Sequence, residues 1–469
     1  MEERKLIEML PVAVAEVAQA LGADLLQGDP ARMVTAVTTD SRNVQPGALF
    51  FALRGERHDG HEFVNEALGR GAVGAVISRT LPSLPAGAVV LLVTDVLGSL
   101  GKLACYVRKR AGVFLVGVTG STGKTSTKDI LSAVLGVRFR VLSTRGNLNN
   151  EIGVPLTLLD IGPGHEVAVV EMAMRAPGEI AALARISCPN AAVITNIGET
   201  HLERLGSIRA IADAKGEILD FVPPEGFAVV HAESPFIYDE ARRCKGRVVF
   251  FGTGDTATVQ LVDYNPDNGG GRLRVAAEGV EEDYFIPVPG FHNAVNALAA
   301  VAVAREMGLS ADEIREGLRR VKLSAMRLEI RKCGSLTVIN DSYNANPASM
   351  RAALAVLQEV ARGRRRVAVL GDMLELGERT VVAHREIGEA AAGSADFIVA
   401  VGELAKEIAA GALASGLPVE KVTTCPDAAK AAEFLREMSI GEAVVLVKAS
   451  RCIHLETVVE ALCSGGGNR

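Results

Sequence analysis

The residues Val116-Gly117-Val118-Thr119-Gly120-Ser121-Thr122-Gly123-Lys124-Thr125-Ser126 carry the plainest chemistry in the chain. An apolar run breaks into a turn of small residues and then into a helical pattern, so backbone N–H groups and a helix N-terminus face one point. Such a turn cradles phosphate. Lys124 supplies a point charge for the β- and γ-phosphates, and the Thr125 hydroxyl can hold Mg²⁺. The spacing departs from G-x-x-x-x-G-K-[ST], because Val118 stands where the first glycine belongs. A chance glycine-rich turn is the alternative, and it leaves the agreement of strand, Gly-Lys-Thr and helix unexplained. The candidate nucleotide-binding residues are therefore Thr119, Gly120, Ser121, Thr122, Gly123, Lys124, Thr125 and Ser126.

A nucleotide site also needs a metal-binding acid on a neighbouring strand. Val167-Ala168-Val169-Val170-Glu171 ends an apolar run in a carboxylate, which makes Glu171 the Mg²⁺ candidate, with a solvated strand end as the alternative. His201 follows another strand end, Thr195-Asn196-Ile197-Gly198-Glu199-Thr200. Taken alone it reads as an ordinary hydrogen-bonded histidine, since Mg²⁺ prefers oxygen donors.

These groups need several elements to position them. At 469 residues, and roughly 150 residues per domain, the chain divides into about three domains. Apolar residues at 48% and charged residues at 23% are globular composition. A net charge of −6 gives no reason to expect nucleic acid or an anionic membrane as partner. Seven cysteines without a CxxC pair suggest neither a disulfide framework nor a zinc site, and a reducing cytosol fits them. The acid-interrupted N-terminus is no signal peptide, and no apolar run nears the roughly 18 residues of a membrane span. A soluble, cytoplasmic protein is expected.

Helical periodicity over residues 12–26 gives way to a strand at 48–53, a second at 89–93 and a helix at 97–110. A boundary near 111 follows. Strands at 114–118, 167–170 and 192–195 then alternate with helical patterns, which argues for a parallel sheet covered by helices. Short strands between 248 and 289 form a β-rich appendage, and a helix runs from Ala294 to Glu306. From about 325 a second doubly wound unit begins, with strands at 336–339, 367–370, 397–401 and 444–447 whose polar ends sit where such sheets bind ligands. Arg364-Arg365-Arg366 reads as a solvated loop before one of them.

With the phosphate loop in hand, three long polar strings fall into one pattern: Gly146-Asn147-Leu148-Asn149-Asn150-Glu151-Ile152-Gly153-Val154-Pro155, Asp341-Ser342-Tyr343-Asn344-Ala345-Asn346-Pro347 and Gly371-Asp372-Met373-Leu374-Glu375-Leu376-Gly377. Over nearly its whole length the chain resembles the Mur ligase family of amide-bond-forming ATPases. The resemblance implies an α/β protein of three domains: a small N-terminal α/β domain for a UDP-sugar (1–110), a central P-loop ATPase with a mainly parallel sheet (111–324) and a C-terminal Rossmann-like doubly wound domain (325–469). It implies ATP and two Mg²⁺ ions, with UDP-N-acetylmuramoyl-tripeptide and D-alanyl-D-alanine as substrates of a monomeric enzyme. Residue by residue, it implies Lys124 at the ATP phosphates, Thr125 and Glu171 at one metal, and His201 with Glu171 at the second. Lys215 falls where several family members carry a carbamylated lysine, with a plain salt-bridged lysine as the alternative. Asn293 and Asn296 match the family's adenine side, with a helix N-cap as the local reading of the first. Arg327 and Asp341 match third-domain residues that reach ATP after a hinge closure near 322–327. Ser41 and Arg42 match the uridine segment, and Asn147, Asn149, Asn150, Tyr343, Asn344 and Asn346 are candidate substrate contacts. Lys448-Ala449-Ser450-Arg451 resembles a family string with Ala449 in place of glycine. Competing readings are a sibling ligase that adds the third amino acid, a folylpolyglutamate-type synthetase, a nucleotide-binding regulator or an ordinary P-loop kinase.

Overall fold

Three large sheets, with a two-stranded pair of Val12–Ala13 and Met33–Val34 beside the first, organise the chain in a computed structural model that describes residues 9–464 apart from 201, 268 and 439. Most of the glycine-rich tail, His201, and Asn268 of an expected turn therefore lie outside the described residues. The first sheet runs Asp24–Gln27, Val89–Leu92, Gly74–Ile77, Ala48–Phe51 and Ala36–Thr38, parallel except for its first pairing. The helix expected over 12–26 is shorter, Val14–Leu21. Gly22 stops it at φ 67°, and the freed residues Asp24–Gln27 pair as an edge strand. Helix Val96–Ala111 follows the last parallel strand, with three basic residues in its last turn.

The central sheet has nine strands, ordered Val280–Ile286, Gly270–Ala277, Val259–Asp267, Arg247–Gly252, Phe227–His231, Ala191–Ile194, Phe114–Thr119, Val167–Glu171 and Val141–Ser143. Its inner strands are apolar without alternation because helices bury both faces. Glu171 lies opposite Val118 and Ile194 opposite Thr119, so the polar ends of three strands meet at the phosphate loop. The expected β-rich appendage is the antiparallel continuation of this same sheet.

The third sheet runs Glu329–Cys333, Leu336–Asn340, Ala443–Lys448, Arg365–Gly371, Phe397–Val401 and Val422–Cys425, parallel but for its opening hairpin. Two expectations are corrected here. Arg365 and Arg366 belong to a strand rather than a solvated loop, and Arg366 pairs with Asp396 at 2.7 Å, which lets the strand start earlier. Cys333 and Cys463 form a disulfide across 130 residues, tying the edge strand to helix Glu456–Ser464; the two cysteines are too far apart in sequence for spacing to reveal.

Candidate functional site: a phosphate loop closed over by the third unit

The phosphate loop leaves its strand at Gly120, whose φ is 150°. A Cβ there would stand 1.9 Å from Thr195 Oγ1, so glycine alone lets the loop pass this close to the neighbouring strand end. That strand end then laces the loop in place. Thr195 Oγ1 donates to Thr122 O (2.6 Å), Thr122 N donates to Asn196 Oδ1 (2.9 Å), and Ser121 Oγ donates to Gly198 O (3.0 Å). Gly123, at φ 76°, opens helix Lys124–Leu135. The result is a rigid turn with a free helix N-terminus above it.

Lys124 Nζ donates to the loop's own carbonyls, Gly120 O at 2.8 Å and Ser121 O at 3.4 Å. Burial lowers its pKa, and the charge of Glu171 partly opposes that shift. Glu171 is 2% exposed; its Oε1 accepts from Asn149 Nδ2 at 2.8 Å, while Oε2 is buried with no hydrogen-bond partner among the described residues. An unpartnered buried carboxylate oxygen is costly unless something else completes it. Among the described residues no three His, Cys, Asp or Glu side chains gather for a metal. A single carboxylate, the Thr125 hydroxyl and nucleotide phosphates nevertheless suit Mg²⁺, which keeps much of its water and takes few protein ligands.

The third unit closes the site. Arg327 Nη2 donates to Thr125 Oγ1 at 3.4 Å, and its guanidinium lies 4.1 Å from the centre of the Tyr343 ring. Asp341 pairs with Lys448 at 2.5 Å, and its other oxygen accepts from Leu328 N at 3.2 Å. Lys448 also donates to Asn344 O at 2.9 Å; burial lowers its pKa although Asp341 pulls the other way. A cavity of about 410 Å³ lies between the units, lined by Thr122, Ser126, His231, His292, Arg327 and Asp341 among others. Desolvation holds His292 down to about 4, so it is uncharged at neutral pH. Arg379 of the third unit also meets Glu199 of the central one, and Glu359 accepts from Tyr264 Oη at 3.0 Å.

Comparison with known proteins matches residues 33–107 to the Mur ligase family catalytic domain, 118–304 to the Mur ligase middle domain and 326–451 to the Mur ligase glutamate ligase domain. A UDP-N-acetylmuramoyl-tripeptide--D-alanyl-D-alanine ligase of Bacillus subtilis (strain 168) is 38% identical over 432 residues, 92% of this chain and 93% of its own. The chain belongs to the Mur ligase family. Among solved Mur ligases, a crystal structure of MurF from Acinetobacter baumannii superimposes with a TM-score of 0.89 at 32% identity, covering 98% of this chain and 100% of that one. MurF ligase from Thermotoga maritima in complex with ADP gives 0.81 at 30% identity, covering 92% and 97%.

The remaining expected residues of this Mur ligase fall in several places. Lys215, in helix Ile208–Gly216, is buried, and its pKa drops well below the usual lysine range through desolvation first and the charge of Lys124 second. Among the described residues no acid forms an ion pair with Lys215. Asn293 is fully buried and donates to Pro289 O at 2.8 Å; the helix is Phe291–Glu306 with Gly290 at its cap, so the N-cap reading fails because the helix starts before Ala294. Asn296 lines the cavity. Asn150 Oδ1 accepts from Gly153 N (2.9 Å) at the start of helix Gly153–Leu159, and Asn346 caps Pro347–Ala361 through Ser349 N (2.9 Å), so both side chains serve local turns. Asn147 is exposed. Ser41 donates to Glu66 at 3.1 Å and Arg42 grips Asp40 at 2.9 and 3.0 Å, both in the turn after Ala36–Thr38 and not among the residues that line the cavity. His201 lies outside the described residues. Residue reasoning missed His231 and His292. His231 ends strand Phe227–His231, the same strand-end signal that singled out Glu171.

Proposed function

We propose that the chain is an ATP-dependent ligase that joins D-alanyl-D-alanine to UDP-N-acetylmuramoyl-tripeptide, acting as a monomer in the cytoplasmic stage of peptidoglycan synthesis. The observation that carries the reading is the phosphate loop roofed by a second doubly wound unit, with Arg327 bonded to Thr125 across the join. Residues 1–110 take the UDP-sugar, 111–324 the ATP and 325–469 close over both. Among the described residues no helix is long and apolar enough to cross a membrane, which suits a substrate met in solution.

A carboxylate resists attack by an amine because its charge repels the nucleophile and oxide is a poor leaving group. ATP removes both obstacles. The tripeptide's terminal carboxylate attacks the γ-phosphorus, breaking its bond to the bridging oxygen and releasing ADP. The dipeptide amine then attacks the acyl carbon, loses a proton and expels phosphate. Lys124 exchanges its bond to Gly120 O for phosphate oxygens, while the loop N–H groups hold the triphosphate still. Arg327 adds positive charge from the third unit, and the closed cavity keeps water from the acyl phosphate. Asn293 and Asn296 serve the adenine side, Asp341 the ribose side, and Ser41 with Arg42 the uridine. Thr125 and Glu171 would hold one Mg²⁺, and Glu171 with His201 a second, and such ions would supply positive charge against the phosphates. Asn149, which already holds Glu171, Asn147 and Tyr343 border the acceptor peptide.

Lys215 is carbamylated in this reading. Its neutral amine adds to CO₂ and releases one proton, converting a costly buried base into an anion that metal can balance. The experiment that tests the whole function is ADP formation with tripeptides ending in lysine or diaminopimelate, offered D-alanyl-D-alanine, free diamino acids or glutamate, with product mass measured. Dipeptide-dependent ADP release with the amide product supports it. Turnover with glutamate or a diamino acid alone points to a sibling ligase, and ATP binding without amine-dependent phosphate release points to a regulator.

A further inference from the structure

The connection between the central and third units, residues 322–328, has an unusual backbone. Met326 (φ 60°) and Leu328 (φ 48°), on either side of Arg327, are both left-handed, and neither is glycine. Side chains make that conformation costly, so it persists only where the surroundings over-determine it. On the downstream side, Asp341 Oδ1 takes the Leu328 N–H, and Met326 O accepts from Tyr343 N at 3.3 Å.

On the upstream side the holder is a residue that no motif singles out. Asp129 Oδ2 accepts from Ser324 N at 2.7 Å and its Oδ1 from Ser324 Oγ at 3.1 Å. Asp129 belongs to helix Lys124–Leu135, one turn beyond Lys124 and Thr125, and its side chain is 11% exposed. Lys128 contacts Asp129 Oδ1 at 2.5 Å while donating to Thr144 O at 3.1 Å, and Thr144 Oγ1 accepts from Glu171 N at 2.9 Å. The helix that presents Lys124 to phosphate thus grips the connection three residues before Arg327. It does so through groups that are themselves tied to the Glu171 strand.

We infer that Asp129 is a positioning residue for the ligation reaction: by clamping Ser324 it forces the strained connection to deliver the Arg327 guanidinium to the phosphate loop. Asp129 touches no substrate. The inference rests on the ATP site proposed above and adds the device that sets its third-unit arginine.

A double-mutant cycle on the full-length enzyme tests it, reading kcat/KM for ATP with both other substrates saturating. Asp129→Ala should lower kcat/KM about tenfold or more in the parent and less than about twofold in Arg327→Ala, because the group it positions is gone. Asp129→Asn keeps one acceptor for the Ser324 N–H and should fall between; it decides the cycle if the alanine variant does not fold. An equal loss in both backgrounds, accompanied by a lower melting temperature, would mean that Asp129 only stabilises the helix and would overturn the inference. So would parent activity in both Asp129 variants. Full activity in Arg327→Ala is a separate result: it would remove Arg327 from the ATP site and overturn that part of the proposed function together with the clamp.

Discussion

Removing the Asp341 carboxylate tests whether the third unit's polar edge is as dry as the geometry requires. Lys448 is 2% exposed and Asp341 9%, and the ammonium's other hydrogen-bond partners among the described residues are the carbonyl oxygens of Asp341 and Asn344. Asp341→Ala strands that ammonium, which costs about 3–5 kcal/mol when a buried pair loses one member. At about 1.4 kcal/mol per tenfold, amide exchange in strands Leu336–Asn340 and Ala443–Lys448 should accelerate by roughly two to three and a half orders of magnitude, up to the limit set by the unit's global opening. Hydrogen–deuterium exchange followed by mass spectrometry reads this strand by strand. Asp341→Leu combined with Lys448→Met should restore most of the protection, because an apolar pair leaves no uncompensated charge. The pH dependence has a definite sign. Lys448 titrates below 10.5 in the folded chain, so between its folded and unfolded values the unfolded chain holds more protons and stability rises with pH. Without Asp341 the folded value falls further, and the variant should regain stability over a wider alkaline range than the parent. Acceleration of less than one order of magnitude in Asp341→Ala would refute the premise that this pair is desolvated.

Lys124→Ala and Glu171→Ala should each reduce ADP release by about 10²–10³ while melting within a few degrees of the parent, since the first loses phosphate charge and the second loses one bond to Asn149 and a carboxylate oxygen without a hydrogen-bond partner among the described residues. Near-parent turnover in either would remove that residue from the mechanism. Depleting CO₂ should slow the parent and added bicarbonate should restore it, whereas Lys215→Arg should be slow in both buffers; a parent indifferent to CO₂ excludes the carbamate. X-ray scattering should show contraction when nucleotide and UDP-sugar substrate are both added. Identical curves with and without them count against a hinge near 322–327.

The parts of this molecule that follow local rules were legible from its sequence. The central strand and its phosphate loop announce themselves because a buried parallel strand is apolar on both faces and the tight turn demands glycine at 120 and 123. Glu171 was legible for the same reason, as the one charge at the end of an apolar run. Residues 24–26 read as helix because Leu25 and Leu26 continue a helical pattern that the left-handed Gly22 interrupts. Asn346 shows the opposite difficulty. A polar string that marks a family also caps its helix, and residue type does not separate the two uses. The Ser324 clamp and the Cys333–Cys463 bridge depend on partners 195 and 130 residues away, beyond the reach of periodicity.

The cavity's walls come from two bodies joined by one short connection, with Thr122 and Ser126 on one side and Arg327 and Asp341 on the other. A nucleotide bound there, as proposed above, would leave by a parting of these walls. Where that parting is slower than bond-making, its pace sets the enzyme's throughput. Added viscogen should slow steady-state flux while leaving the single-turnover burst untouched.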